Sequence, residues 1–88
     1  MTKKNIGFVG LGRMGSRMAL RLVAPFSVLG TDKDTSLRRL AESSGITWVD
    51  NPMLLGSKCR HIFIVAGSES DVTEIIFGER GLVRGIDS

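Results

Sequence analysis

Gly10-Leu11-Gly12-Arg13-Met14-Gly15 is the stretch on which the fold of this chain turns. Ile6-Gly7-Phe8-Val9 precedes it as a short apolar run, and residues 13–24 follow with helical spacing. A strand that breaks into three glycines and resumes as a helix is the entry to a dinucleotide-binding βαβ unit. Gly10 lets the chain turn sharply as it leaves the strand. Gly12 has no Cβ, so a pyrophosphate can lie against the backbone, and Gly15 lets the helix pack closely on the strand. The free N–H groups near Arg13 and Met14 then face the phosphates at the positive end of the helix. Gly10, Leu11, Gly12, Arg13, Met14 and Gly15 are therefore candidate cofactor-binding residues. The alternative is a tight strand-to-helix turn without a ligand, in a chain that has 11 glycines.

The next landmark lies about 20 positions on, where this class of fold places an acid that hydrogen-bonds the adenosine ribose. Ser27-Val28-Leu29-Gly30-Thr31 reads as a second strand, and Asp32 follows it. A carboxylate there accepts from the ribose 2′-OH and repels a 2′-phosphate, which favours NAD over NADP. Lys33 argues the other way, since an ammonium can pair with a 2′-phosphate. Asp34 adds negative charge, and the balance favours NAD. The competing assignment of Asp32-Lys33-Asp34 is a polar turn between strand and helix.

Farther out, strands are expected at 5–9, 27–31, 46–49 and 61–66. Helices are expected over 13–24, ended by Pro25, and from Asp34 or Thr35 to Ser44, with Gly45 just past the end. A short helix starts at Pro52 and is weakened by Gly56; a fourth covers 71–77. Met14, Met18 and Leu22 are expected inward on the first helix, and Leu37, Leu40 and Ala41 on the second. Trp48 reads as packing. The apolar run 61–66 suggests a strand buried on both faces. Residues 78–88, with three glycines, read as a loop. The alternation β-α-β-α-β-α-β-α implies an α/β fold with a parallel sheet. Specifically, it implies a partial Rossmann fold of about four strands in the order 3-2-1-4, with helices on both faces. Residues 1–88 are expected to form a single, incomplete dinucleotide-binding domain.

Bulk properties narrow the function. The 88 residues carry a formal charge of +3, 42% hydrophobic and 24% charged residues. The basic residues are scattered, so nucleic acid is not an expected partner. The spaced arginines Arg13, Arg17 and Arg21 read as a solvent face, with Arg13 alone placed to help hold an anion. Cys59 is the single cysteine, which removes an internal disulfide and a cysteine metal cluster. No apolar run is long enough to span a membrane, and the N-terminus does not read as a signal peptide. Cytoplasm is the expected location. His61 has no nucleophile or carboxylate partner at a recognisable spacing and reads as structural. Cys59 reads as a small hydrophobe. Glu69, Asp71 and Glu74 read as favourable charge at a helix N-terminus. No residue is assigned to metal binding or to catalysis.

With these residues placed, the chain resembles the N-terminal domain of the β-hydroxyacid dehydrogenases, the family of 3-hydroxyisobutyrate and 6-phosphogluconate dehydrogenases. The likeness is carried by Ile6 through Gly15, then Met18-Ala19 and Leu22. It resumes at Val72, Ile75-Ile76-Phe77-Gly78-Glu79 and Gly81-Leu82. It covers nearly all 88 residues but only about the first third of a family member. The resemblance implies hydride transfer between a nicotinamide cofactor and the hydroxyl-bearing carbon of a small 3-hydroxy acid. It places Asp32 at the ribose and Lys33 where many NADP users have arginine. It also makes Val65, Ala66 and Gly67 cofactor-lining residues, although members usually carry Met-Leu-Pro there. The family's Asp-x-Ser substrate motif and catalytic lysine lie beyond the segment covered; Asp87-Ser88 echoes the motif only superficially. The expectation is an NAD(P)-binding portion that is inactive by itself. The other class left open is a non-enzymatic nucleotide-sensing or interaction module. In either case strand 61–66 lies at a sheet edge, and pairing there or homo-oligomerisation is expected.

Overall fold

The computed structural model describes residues 3–86. The strands are β1 (Asn5–Val9), β2 (Ser27–Thr31), β3 (Thr47–Trp48) and β4 (His61–Ile64). The helices are α1 (Arg13–Leu20), α2 (Arg38–Ser43), α3 (Pro52–Lys58), α4 (Glu69–Phe77) and α5 (Leu82–Ile86). All strand pairs are parallel, in the order β3-β2-β1-β4. The expected α/β fold, strand order and helices on both faces are therefore present.

Side chains alternate across a strand, so β1 splits its residues between two cores. Ile6 and Phe8 join Val28, Leu11, Ile46 and Trp48 on one face, where α1 contributes Ala19 and α2 contributes Ala41. Val9 and Leu29 face the other way, against Leu55 of α3 and Leu82 of α5, with Ile75 and Ile76 of α4 packed alongside. Trp48 is packing, as its composition suggested.

Several expectations are corrected. α1 stops at Leu20 and continues as turns to Pro25. Its inward residues are Gly15 and Ala19, while Met14 is 67% exposed and Met18 39%. The helix starts so close to the glycine loop that small residues must face inward. Leu40 likewise faces out, and Ala41 is the buried residue of α2. A 3-10 turn at Thr35–Leu37 precedes α2, capped by Asp34 accepting from the Ser36 N–H. β4 ends at Ile64 rather than residue 66, and it is not buried on both faces: His61 and Phe63 are exposed, Ile62 and Ile64 half-buried. Ile62 and Ile64 pack on the core that includes α3 and α5, whereas the face bearing His61 and Phe63 is left open at the sheet edge.

The largest correction is α5, where a loop was expected. Gly56 and Gly85 read as helix breakers, yet they let α3 and α5 approach closely. A Cβ on Gly56 would run into the Leu82 carbonyl, and one on Gly85 into the Met53 carbonyl. Asp87-Ser88, the echo of a substrate motif, and Met1-Thr2 lie outside the described residues. No described helix is long and apolar enough to cross a membrane.

Candidate functional site

The strand order reverses at β1, which pairs with β2 on one side and β4 on the other. In open α/β sheets, ligands bind at such a switch point, outside the carboxyl ends of the strands. A cleft of about 610 Å³ lies there. Its floor is Val9 at the end of β1 with Gly10 and Gly12 beyond it. Thr31 at the end of β2 with Asp32 and Lys33 beyond it form one wall; Val65, Ala66 and Gly67 after β4 form the other. Asp50, Pro52, Asp71, Glu74, Ile75 and Arg80 complete it.

The glycine loop is built from backbone constraints. Gly10 has φ +103°, a conformation open to glycine and costly for other residues. Its N–H donates to the Thr31 carbonyl at 2.9 Å, tying the loop to β2. A Cβ at Gly10 would run into the Val65 carbonyl, so this glycine also lets the post-β4 loop close in. Gly15 meets the Gly10 carbonyl in the same way; it packs the helix onto the loop itself rather than onto the strand. Gly12 is different. A Cβ there would have nothing within 4 Å, and the residue lines the cleft.

Gly12 is the N-cap of α1 and provides no side-chain cap. The first helical bond runs from the Ser16 N–H to the Gly12 carbonyl at 2.9 Å. The N–H groups of Arg13 and Met14 therefore lie ahead of any intrahelical acceptor. Space over Gly12 and donors beside it form an anion-sized cradle. Arg13 and Met14 have exposed side chains outside the cleft lining. Leu11 buries its side chain in the core, and its backbone N–H is taken by Asp32.

Asp32 is bound on both carboxylate oxygens. Oδ2 accepts from the Leu11 N–H at 2.7 Å, and Oδ1 accepts from the Asp34 N–H at 2.8 Å. Each oxygen keeps a further lone pair for a ligand hydroxyl. Lys33 extends over the mouth, 3.8 Å from Asp71 Oδ1. Asp34 lies just outside. The Ser36 hydroxyl, followed by the Ser36 N–H, holds its carboxyl below the usual range.

All the loop residues expected from sequence except Leu11, Arg13, Met14 and Gly15 line the cleft, and Asp32, Lys33, Val65, Ala66 and Gly67 line it too. Asp50, Asp71, Glu74 and Arg80 were missed. Asp71 and Glu74 have the spacing of helix-terminal charge, a signal that hides a second role. Arg80 arrives because its carbonyl accepts from the Met53 N–H at 2.9 Å, folding the tail over the start of α3. His61 sits at the opposite, amino end of β4. Among the described residues no three His, Cys, Asp or Glu are grouped to hold a metal.

A parallel sheet of this order, with a glycine turn at its switch point, defines a Rossmann-type dinucleotide-binding domain. The model of the NAD binding domain of 6-phosphogluconate dehydrogenase matches residues 5–88, and the chain belongs to that family. Among relatives, a probable 3-hydroxyisobutyrate dehydrogenase-like protein of Arabidopsis thaliana is 28% identical over 86 residues. That alignment covers 97% of this chain and 29% of the relative. L-threonate dehydrogenase of Cupriavidus necator is 32% identical over 80 residues, covering 89% of this chain and 27% of the relative. A solved structure of Psf3 in complex with NADP+ and 2-OPP superposes with a TM-score of 0.81 at 26% identity, covering 91% of this chain and 29% of that one. The chain thus spans less than a third of the length of these relatives.

Proposed function

We propose that this chain is the cofactor-holding portion of an oxidoreductase that acts on the CH–OH group of a small 3-hydroxy acid. The observation that carries the cofactor-holding role is the open space over Gly12, where a Cβ would meet nothing and the α1 N-terminus presents its N–H groups. The nicotinamide cofactor, when bound, supplies the hydride acceptor or donor. This chain's residues supply its seat. Gly10 and Gly12 clear room for the pyrophosphate, the N–H groups near Arg13 and Met14 balance its charge, and Asp32 receives the ribose hydroxyls. Val65, Ala66 and Gly67 close the opposite wall. The dehydrogenase names of the relatives support the same class.

NAD is the preferred cofactor. Asp32, Asp50, Asp71 and Glu74 line the cleft against Lys33 and Arg80, an acidic balance that opposes an added 2′-phosphate. Turnover needs a positioned substrate and a proton donor. The sole histidine stands three residues, roughly 10 Å, from the cleft end of β4. We assign the 88 residues binding without turnover and a cytoplasmic location. The outer edge of β4, where Phe63 is 42% exposed, is the surface for pairing with a second copy.

Calorimetric titration of the chain with NADH and NADPH tests the assignment. Saturable NADH binding, lost in Gly12→Val with the melting transition retained, is the expected result. Absence of binding by either nucleotide overturns it in favour of an interaction module, and oxidation of a hydroxy acid by the chain alone overturns the claim of binding without turnover.

A further inference from the structure

Lys33 and Asp71 come from opposite walls of the cleft. Lys33 follows β2, and Asp71 lies in the first turn of α4, after β4. Their charged atoms are 3.8 Å apart, with side chains 87% and 42% exposed. Among the described residues this is the ion pair Lys33 makes. Asp32, next to Lys33, directs both its oxygens to backbone N–H groups instead. The other Asp71 oxygen lies 4.0 Å from the position a Cβ on Gly67 would take. The Asp71 carboxylate, on the β4 side of the cleft, therefore reaches the lysine that follows β2.

We infer that Asp71 is a specificity-determining residue, holding Lys33 across the mouth and setting the cleft against a 2′-phosphorylated cofactor. This rests on the assignment of the cleft as a nicotinamide dinucleotide site. A carboxylate beside the ammonium lowers the positive potential that a phosphate would meet there, by a solvent-screened amount. A 2′-phosphate reaching for Lys33 must displace Asp71 while lying beside Asp32, so two carboxylates oppose the dianion. A ribose hydroxyl meets no such opposition, since it donates to Asp32. The lysine that looks suited to NADP in the sequence is thus countered by a residue distant in the chain.

The test uses the 88-residue chain and the ratio of NADPH to NADH dissociation constants. Asp71→Asn keeps the backbone N–H that donates to the Ser68 cap, so α4 retains its start. The ratio is expected to fall roughly three- to tenfold in Asp71→Asn at low salt, and by less as salt rises. Lys33→Met in the Asp71→Asn background should erase the gain, whereas Lys33→Met alone should change the ratio far less. That non-additivity is what a purely structural role would not produce. An unchanged ratio in Asp71→Asn, with NADH still bound and still lost in Gly12→Val, overturns the inference and leaves the cofactor assignment standing. Wild-type chain that binds neither nucleotide overturns both.

Discussion

The Leu11 N–H donates to Asp32 Oδ2 at 2.7 Å, so the acid after β2 holds the glycine loop after β1 while also lining the cleft. Asp32 has two tasks, and they separate by substitution. Asp32→Ala leaves the part-buried Leu11 donor without its acceptor and should cost about 1.5–3 kcal/mol in urea unfolding. Asp32→Asn retains one acceptor oxygen and should recover part of that stability. If NADH affinity follows stability through both variants, Asp32 acts on the loop alone and not on the ribose.

The three glycines of the loop should behave differently from one another. Gly10→Ala combines a positive φ with a collision at the Val65 carbonyl, and Gly15→Ala collides with the Gly10 carbonyl. Each should destabilise by about 2 kcal/mol or more. Gly12→Ala has φ −68° and open space, and should shift stability by less than about 1 kcal/mol. Thermal melts of the three variants check the order. A Gly12 variant as unstable as the others would show that its space is structural.

The α3–α5 contact depends on two absent side chains. Gly85→Ala must push the helices apart at the Met53 carbonyl, and Gly56→Ala at the Leu82 carbonyl. A loss of about 1–3 kcal/mol is expected for each. Hydrogen exchange should localise the opening to α5. Protection of residues 82–86 equal to that of the wild type would contradict the close packing.

Burial pushes the Cys59 thiol above its ordinary pKa, partly offset by the neighbouring Lys58 ammonium. The unfolded thiol ionises near its usual value, about 8.5, before the folded one does. The contribution to stability is complete below that value and is lost as pH rises through it toward the folded pKa. The urea midpoint of the wild type should therefore fall more between pH 8 and 10 than that of Cys59→Ala. Equal slopes would mean that the thiol is solvated in the folded chain.

Phe63 stacks on Phe8 with ring centroids 5.1 Å apart, yet remains partly exposed at the free edge. Phe63→Lys should weaken self-association in sedimentation experiments, because a charged edge resists strand pairing, at about 1 kcal/mol in stability. A wild-type chain that sediments as a monomer at all concentrations, with β4 amides exchanging freely, would remove the edge as an interface.

The parallel sheet, its strand order, four of the five helices and the glycine-turn-acid layout of the cleft are legible in the residues alone. These are local: periodicity over a few residues, a turn only glycine can make at Gly10, a carboxylate at a fixed distance along the chain. The sequence did not determine which way Met14, Met18 and Leu40 face, because an amphipathic count cannot say how closely a helix approaches its sheet. Nor did it disclose α5, since Gly56 and Gly85 weaken isolated helices and become favourable only against each other. Asp71 reads locally as a charge at a helix start. Only the tertiary structure brings it to Lys33 across the cleft, because α4 and the end of β2 are brought together there by the sheet order and not by proximity in the chain.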